Sequence, residues 1–370
     1  MPEDVSALYR EAGQRAAPDR QAWEQRLEAF DGDRTAWDAG WARTGLDGWE
    51  SSLPSFTPGS MVATRKASQQ CVTALAEVVP GLIGGSADLT GNTGTLIDKV
   101  AQGFESPAGR QVYFGVREHA MAASLVGAAR HGGVIPIGGT FLVFSDYMRP
   151  SVRLAAMSNA KCVFVWTHDS VGVGEDGPTH QPVEQIMSLR TVPNLRVIRP
   201  ADATEVAGAW RLALASDGPT ALILSRQDVP VLATTSADRV ADGAYALNEV
   251  EDPDIILVAT GSEVALCVEA EKRLAAEHVR VRVVSMPCWE QFEALPVEAQ
   301  DAVIDPDVPV ISVEAGVTLG WDRYADLPLG IDRFGASAPG DIVLDQLGIN
   351  VDAVVDAAFD VLEVLGDERD

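Results

Sequence analysis

Residues 167–182 read THDSVGVGEDGPTHQP, and the fold is arranged around this polar stretch. It follows the apolar run CVFVW at 162–166, which predicts a buried strand, and it precedes a segment at 183–189 whose apolar spacing predicts a helix. Open parallel sheets bind their ligands at the carboxyl ends of the strands. Two of the chain's five histidines, His168 and His180, lie in this loop, so the sequence predicts a functional site here.

The composition excludes several classes of protein. The chain has 370 residues, of which 46% are hydrophobic, so it can form the cores of two domains. Its net charge of −26 opposes nucleic acid and anionic membranes as partners. No apolar run approaches the roughly 18 residues of a membrane span, and the acidic N-terminus lacks the apolar core of a secretory signal. The four cysteines form no CxxC pair, which favours reduced thiols in a cytoplasmic protein.

Residues 1–57 are predicted to form a helical leader that differs from the rest of the chain. They contain four of the eight tryptophans but no long apolar run. Such a short segment cannot form its own core, so the tryptophans need another surface to cover them. That surface is either the body of this chain or an upstream domain to which the leader is the connector. A stretch rich in proline and serine at 52–59 predicts the boundary.

From residue 61 onward, short apolar runs alternate with segments of helical spacing. This alternation predicts βαβ units, and hence parallel sheets with helices on both faces. The pattern weakens over an acidic connector at 226–251 and then restarts. We therefore predict an α/β fold of two doubly wound domains with mostly parallel sheets, over residues 58–235 and 250–370. In the second domain, Ser262 is expected to cap the helix that follows it.

Two sets of residues have both a structural and a functional interpretation. Glu118 lies between a predicted strand and a predicted helix, where the helix dipole favours a carboxylate. A partly buried acid at this place can instead hold or donate a proton against a heterocycle nitrogen. Phe141, Phe144 and Tyr147 are three residues apart, which is typical of the buried face of a helix. The same three rings are equally suited to enclose a flat ligand.

Three basic residues, Arg65, His168 and Arg226, stand near strand ends in different βα units. A single arginine of this kind usually forms a surface ion pair, whereas three converging basic groups make an anion site suited to phosphate. His168 and His180 lack the HxH or HExxH spacing of metal ligands, so we predict no metal site and favour acid–base or hydroxyl-binding roles. The sequence contains no Walker loop, GxSxG elbow or Rossmann glycine fingerprint.

Six motifs, taken together, resemble the transketolase family in their order and spacing. They are ATRKAS at 63–68, GGSADL at 84–89, GVRE at 115–118, the aromatic triplet at 141–147, GEDGPTHQP at 174–182 and LSRQ at 224–227. The resemblance runs from about residue 58 to the end of the chain and includes ATGSE at 259–263. Other thiamine-diphosphate enzymes resemble this family in fold and in the glutamate, but they are not expected to share these motifs together.

The resemblance implies a pyrimidine-binding domain followed by a C-terminal domain, with thiamine diphosphate as the cofactor for ketol transfer between sugar phosphates. Glu118 would hydrogen-bond a ring nitrogen of the cofactor's aminopyrimidine, favouring the tautomer that removes the thiazolium proton. The aromatic triplet would enclose that ring, with Phe144 stacked on it, and Asp88 would orient the cofactor or the donor sugar. The remaining residues would bind substrate: Asp176 and the catalytic His180 at the hydroxyls and reacting oxygens, and Arg65, His168 and Arg226 at the phosphate.

Two departures from the family pattern affect what the chain can do alone. Where the family has a serine at the substrate phosphate, Asn92 is the nearest counterpart. The family's N-terminal domain binds the diphosphate and a metal through a Gly-Asp-Gly motif that this sequence lacks, so Mg²⁺ or Ca²⁺ is expected only through that other half. In the family the site forms against the diphosphate-binding domain of a partner subunit. We therefore expect a homodimer, a complex with an N-terminal subunit, or both, and the leader resembles the tail of the connector.

These features leave three hypotheses about function. The first is the C-terminal portion of a transketolase, inactive without a complementary N-terminal subunit. The second is a truncated, non-catalytic fragment that folds and dimerises. The third is a related thiamine-diphosphate enzyme of the dihydroxyacetone-synthase type.

Overall fold

The leader is helical, as predicted. A computed structural model describes residues 2–367 of the chain, so residue 1 and residues 368–370, at the ends of the first and last predicted segments, lie outside the described residues. The leader contains α1 (Glu3–Gln14), α2 (Ala17–Glu28) and α3 (Thr35–Ala42). Neither α1 nor α2 contains a buried residue, whereas Trp49, which follows α3, is only 6% exposed and lies in the core of the first domain. Only the end of the leader therefore packs on the body.

The first domain is built on a parallel sheet of six strands. Its elements in chain order are β1 (Met61–Ala63), α4 (Thr64–Val78), β2 (Leu82–Ser86), α5 (Thr90–Thr93), β3 (Gln111–Tyr113), α6 (Glu118–His131), β4 (Ile135–Phe141), α7 (Ser145–Met157), β5 (Val163–Thr167), α8 (Gln185–Arg190), β6 (Arg196–Ile198), α9 (Ala203–Ala215), β7 (Thr220–Leu224) and β8 (Asp228–Pro230). The sheet order is β3-β2-β4-β5-β7-β6, and β1 pairs with β8 in a separate antiparallel ribbon.

Helices cover both faces of this sheet. Val165 on β5 packs in one core with residues of α4 and α9, including Trp210. Its neighbours Phe164 and Trp166 point to the opposite face and pack with residues of α6 and α7, including Met121. Because both faces are buried, β5 is apolar along its whole length, as is typical of parallel strands. The predicted doubly wound architecture is confirmed for this domain.

The second domain repeats the architecture on a smaller scale. Its elements in chain order are β9 (Tyr245–Ala246), β10 (Ile255–Ala259), α10 (Glu263–Ala276), β11 (Val281–Ser285), α11 (Trp289–Glu293), α12 (Val297–Val303), β12 (Val310–Val313), β13 (Leu327–Leu329), α13 (Gly340–Gln346) and α14 (Val351–Asp367). The sheet order is β13-β12-β10-β11-β9, with only β9 antiparallel to its neighbour. Strand β9 lies within the stretch interpreted from the sequence as an acidic connector.

Two local predictions were wrong. Ser262 precedes α10, but its side chain makes no capping hydrogen bond; its hydroxyl instead donates to Glu263 Oε1 at 2.6 Å. The aromatic triplet does not lie on one helix, because Phe141 ends β4, Phe144 lies in a 3-10 turn and Tyr147 lies in α7. A strand-to-helix connection places the three rings, not helical periodicity. Over residues 2–367, no helix combines the length and apolar character needed to cross a membrane.

Candidate functional site

The residues singled out from the sequence lie along one edge of the first sheet. Its six strands are parallel, so all their carboxyl ends meet at that edge. In spatial order, Glu118 follows β3, Asp88 follows β2, Phe141 ends β4, His168 follows β5 and Arg226 follows β7. The edge therefore has an acidic and aromatic half beside a basic half.

The aromatic half is an open wall of rings. The ring centroids of Phe141 and Phe144 are 6.0 Å apart and the rings are nearly parallel, and Tyr147 lies 6.0 Å beyond Phe144. His180, from the polar loop, meets Phe144 edge-on at 5.5 Å. Phe144 is half-buried and Tyr147 is 64% exposed, so the wall leaves apolar ring surface in contact with solvent. Such a surface is suited to stacking against a flat heterocycle.

Two carboxylates stand on the acidic side. Glu118 is half-buried and is the first residue of α6, where the unpaired N–H groups of a helix start favour a negative charge. Asp88 is exposed at the end of β2 and has a φ of 67°, a left-handed conformation that aspartate adopts more readily than most residues. Both carboxylates are accessible to a ligand from the edge of the sheet.

The basic half is held together through residues next to the cations. Thr64 precedes Arg65 and Ser225 precedes Arg226, and these two neighbours bond reciprocally: Ser225 N donates to Thr64 Oγ1 at 2.6 Å, and Thr64 N donates to Ser225 Oγ at 3.2 Å. Arg65 Nε then lies 3.5 Å from the carbonyl oxygen of Arg226. The two arginines, far apart in sequence, are thus adjacent in the fold.

His168 completes this half as a neutral group. It is only 5% exposed, its ring lies 3.6 Å from that of Phe141, and its Nδ1 is 2.8 Å from Thr167 Oγ1. Burial, together with the positive charges of Arg65 and Arg226, lowers the pKa of His168 to about 3. The imidazole is therefore uncharged near neutral pH, and the arginines carry the positive charge.

The polar loop presents its remaining candidates at the same edge. Asp176 is exposed, and the half-buried His180 has its Nδ1 2.9 Å from Thr179 Oγ1. The loop is fixed by Gln181, a buried residue that the sequence did not single out. Its Nε2 donates to the carbonyl oxygens of Gly174 at 2.9 Å and of Ala336, in the second domain, at 3.0 Å.

Asn92 meets the basic half through its backbone. Its carbonyl oxygen accepts a hydrogen bond from Arg65 Nη1 at 3.1 Å, and its side chain is exposed. The residue therefore lies beside Arg65, and its predicted place at the substrate phosphate stays a prediction.

A buried charge network behind the site was missed from the sequence. Arg199 is fully buried, and its Nε and Nη2 donate to Asp169 Oδ2 at 3.1 and 2.8 Å. Its Nη1 also pairs with Glu263 of the second domain. Burial opposes the charge, but the nearby carboxylates outweigh it and raise the pKa of Arg199. A charged residue directly after the buried apolar pair Val197 and Ile198 of β6 was the available signal.

Different parts of the site fit different parts of a ligand. The free carboxylate of Glu118 beside the aromatic wall fits a flat, nitrogen-containing ring, and the paired arginines fit a phosphate. Among the residues that the structure describes, no group of three or more histidines, cysteines or carboxylates could hold a metal ion.

Comparison with known proteins matches these features to one family. Residues 60–231 match the transketolase pyrimidine-binding domain, and residues 243–350 match the transketolase-like C-terminal domain. The transketolase of Geobacillus stearothermophilus is 49% identical over 372 residues, covering 96% of this chain and 56% of that protein. The chain belongs to the transketolase family and contains its pyrimidine-binding and C-terminal domains, which confirms the resemblance seen in the motifs.

Solved structures agree with this assignment. The transketolase of Leishmania mexicana superposes with a TM-score of 0.93 at 45% identity, covering 98% of this chain and 55% of that one. A Pichia stipitis transketolase in complex with sedoheptulose-7-phosphate gives 0.95 at 35% identity, covering 99% and 56%. An inactive β4 tetramer of a split-gene transketolase gives 0.67 at 25% identity, covering 82% of this chain and 99% of that one. The chain thus spans little more than half the length of the full-length relatives it matches.

Proposed function

We propose that this chain supplies half of a transketolase active site and acts with a complementary N-terminal half. Together they transfer a two-carbon ketol unit from a ketose phosphate to an aldose phosphate. One observation carries the proposal: an aromatic wall with a free carboxylate lies beside a basic site on a single sheet edge. This arrangement offers adjacent places for a flat heterocycle and for a sugar phosphate.

The acidic and aromatic half would hold the aminopyrimidine ring of thiamine diphosphate. When bound, that cofactor supplies the carbon–carbon bond chemistry. Glu118 would accept a hydrogen bond from a ring nitrogen and so fix the proton on that atom. Phe144 would stack on the ring, Phe141 and Tyr147 would enclose it and exclude water, and Asp88 would orient the cofactor or the donor sugar.

The basic half and the polar loop would hold the sugar phosphate. Arg65 and Arg226 would supply the charge, while His168, kept neutral by burial, would contribute a hydrogen bond. Asp176 would bind sugar hydroxyls, and His180 would bind and move protons at the reacting oxygens. Asn92 is the remaining candidate for the phosphate, since its backbone already contacts Arg65.

The diphosphate and a metal, Mg²⁺ or Ca²⁺, would be bound by the complementary N-terminal half. The leader offers a face for such a partner, with Trp23, Phe30 and Trp37 around an apolar groove of about 320 Å³. Full-length transketolases align with nearly all of this chain, 98–99% in the Leishmania and Pichia structures, so they contain a counterpart of the leader continuous with the rest of the enzyme. The groove is therefore suited to the part of those enzymes that this chain does not match.

We further propose that the working protein is a cytoplasmic assembly containing two copies of this chain. The proposed domain limits are those predicted from the sequence, with a leader over 1–57, a pyrimidine-binding domain over 58–235 and a C-terminal domain over 250–370. The split-gene transketolase among the structural neighbours supports the idea that a chain of this kind folds and assembles without its other half.

A complementation assay tests the proposal. The purified chain is incubated with thiamine diphosphate, Mg²⁺, a ketose phosphate and an aldose phosphate, with and without a supplied transketolase N-terminal half. We expect ketol transfer only when both halves are present. Transfer by this chain alone would contradict the need for a second half, and no transfer in either mixture would favour the non-catalytic alternative.

A further inference from the structure

A turn of the second domain contacts residues at the carboxyl ends of β7 and β6, next to the basic site of the first domain. The turn comprises residues 260–262, between β10 and α10. Ser262 Oγ accepts a hydrogen bond from Nε2 of Gln227 at 3.2 Å, and Gln227 directly follows Arg226. On the other side, Thr260 accepts hydrogen bonds from Arg199 Nη1 at its carbonyl (3.0 Å) and at its hydroxyl (2.9 Å).

Arg199 connects the turn to the residue next to His168. Two N–H groups of Arg199 donate to Asp169, the residue directly after His168. His168 has a φ of 61°, a left-handed conformation that costs energy for a residue with a side chain and persists only when its surroundings enforce it. The buried pair of Asp169 with Arg199 supplies such a constraint on the backbone next to the imidazole.

The second domain uses its own ligand edge for this contact. Thr260 and Glu314 follow β10 and β12, at the carboxyl ends where an open parallel sheet places a ligand. Here two guanidinium groups of the first domain fill that place: Arg199 on Thr260, and Arg190, which bonds both oxygens of Glu314 at 2.8 and 2.7 Å. Burial alone would raise the pKa of Glu314, but these two arginines outweigh it and lower the pKa to about 2. The edge is therefore occupied by ionised, paired groups.

We propose that the 260–262 turn is a positioning element of the anion site in the first domain. Ser262 sets the place of Arg226 through Gln227, and Thr260 sets the place of His168 through Arg199 and Asp169. This inference rests on the phosphate-binding role proposed above for Arg65, His168 and Arg226. It gives the second domain a defined part in substrate binding, although none of its residues belongs to the proposed anion site.

The test compares two hydroxyl groups that bridge the same pair of domains. Ser262→Ala removes the bond to Gln227, whereas Ser285→Ala removes the bond from Ser285 Oγ to Glu205 Oε1 at 2.6 Å, which does not lead to the anion site. Binding of inorganic phosphate to the full chain is measured by isothermal titration calorimetry. Ser262→Thr, which keeps the hydroxyl, serves as the conservative rescue, and Thr260→Val tests the branch that leads to His168.

We expect Ser262→Ala and Thr260→Val to weaken phosphate binding about threefold to tenfold, the factor that corresponds to one lost hydrogen bond. Ser285→Ala and Ser262→Thr should bind phosphate as the wild type does. Equal affinities for Ser262→Ala and Ser285→Ala, whether both reduced or both unchanged, would overturn the positioning role while leaving the anion site intact. A wild-type chain that binds no phosphate would instead overturn the proposed anion site, and the positioning role with it.

Steady-state kinetics of the reconstituted enzyme provide a second test of the Ser262→Ala variant. If the turn positions the anion site, Ser262→Ala should raise the KM for a phosphorylated acceptor by about the same factor as it weakens phosphate binding. Its kcat with a non-phosphorylated acceptor should stay at the wild-type value. A loss of kcat with both acceptors would show a general structural role and would contradict the proposal.

Discussion

At the scale of single residues, burial and neighbouring charge decide what each group in the site can do. The ring of His168 stacks on that of Phe141, and burial together with the charges of Arg65 and Arg226 disfavours the imidazolium form. The proposed binding of phosphate at this place would therefore depend on fixed guanidinium charge and not on a group that titrates near neutral pH. Glu118 is different, because it is half-buried at the first position of a helix and is proposed to contact the cofactor and not the phosphate.

The role of Glu118 is tested by Glu118→Gln in the reconstituted enzyme. The amide has nearly the same shape but carries no negative charge and cannot take up a proton, so we expect ketol transfer to fall at least about a hundredfold, the lower range for a positioned acid–base group. Urea unfolding followed by circular dichroism should show unchanged stability within about 0.5 kcal/mol, as is usual for a substitution outside the core. Wild-type transfer rates in this variant would remove Glu118 from the proposed mechanism.

Arg226→Ala tests the basic half. Losing a guanidinium that faces phosphate should lower kcat/KM for a phosphorylated acceptor by about tenfold to a hundredfold, the range for a charge-assisted hydrogen bond. A non-phosphorylated acceptor should be affected little. Arg273→Ala is the matched control, because Arg273 is an exposed arginine of the second domain paired with Asp352. Equal losses for both acceptors would place Arg226 outside the phosphate site.

At the scale of elements, the leader consists of two parts with different packing. Its beginning, α1 and α2, buries no residue, and the partly exposed Trp23 lies in this part. Its end is anchored, because Trp49 lies in the core of the first domain and Lys161 Nζ donates to the carbonyl oxygen of Arg43 at 2.8 Å. The body of the chain therefore covers Trp49, and the proposed partner would cover the exposed aromatic residues of the leader.

Two tryptophan substitutions distinguish the parts of the leader. Trp49→Ala should lower the free energy of unfolding by about 3–5 kcal/mol, because it leaves a cavity in a packed core. Trp23→Ala should change it by no more than about 0.5 kcal/mol. Urea unfolding followed by circular dichroism measures both. In the complementation assay, Trp23→Ala should weaken the association with the N-terminal half although it leaves stability nearly unchanged. Equal association for Trp23→Ala and wild type would contradict the proposed docking face.

At the scale of the whole molecule, the two domains are joined by buried polar groups. Besides the arginine network, Glu205 on α9 accepts hydrogen bonds from Tyr245 Oη at 2.7 Å and from Ser285 Oγ at 2.6 Å, both in the second domain. Complete burial, together with the negative charge of the nearby Asp202, raises the pKa of Glu205 to about 7. The interface between the two domains therefore contains a carboxyl group, that of Glu205, that changes its charge near neutral pH.

Glu205→Gln tests the effect of that group on stability. Because the folded-state pKa is raised, Glu205 stabilises the fold fully below about pH 4.5 and loses this contribution as the pH rises to about 7. Between these two pH values, the ionisation of Glu205 should lower the free energy of unfolding by up to about 1.4 kcal/mol for each unit of rising pH. The amide stays neutral, so the difference in urea midpoint between Glu205→Gln and wild type should grow towards pH 7. Glu269→Gln, at an exposed position, should show no such trend.

Much of the fold could be predicted because its signals are local. Central parallel strands such as β5 and β10 are nearly continuous apolar runs, and helices between the strands have apolar residues at helical spacing, so element type and order follow from the sequence. The missed or misplaced features depend on distant partners. Strand β9 is short and pairs only with β11, and Ser262 bonds Gln227, a residue 35 positions away in another domain. Neither the pairing of β9 with β11 nor the bond of Ser262 with Gln227 can be predicted from the residues around β9 or Ser262.

The sequence by itself determined the family, the α/β class and the identity of the candidate residues, because each depends on motifs whose residues are close in the chain. Only the tertiary structure decided how those residues combine. The bonds between Thr64 and Ser225 place Arg65 next to Arg226. Burial and the neighbouring arginines keep the imidazole of His168 neutral. Arg190 and Arg199 occupy the carboxyl-end edge of the second sheet. These outcomes depend on contacts across the fold and on exclusion of water, and neither is encoded in the spacing of neighbouring residues.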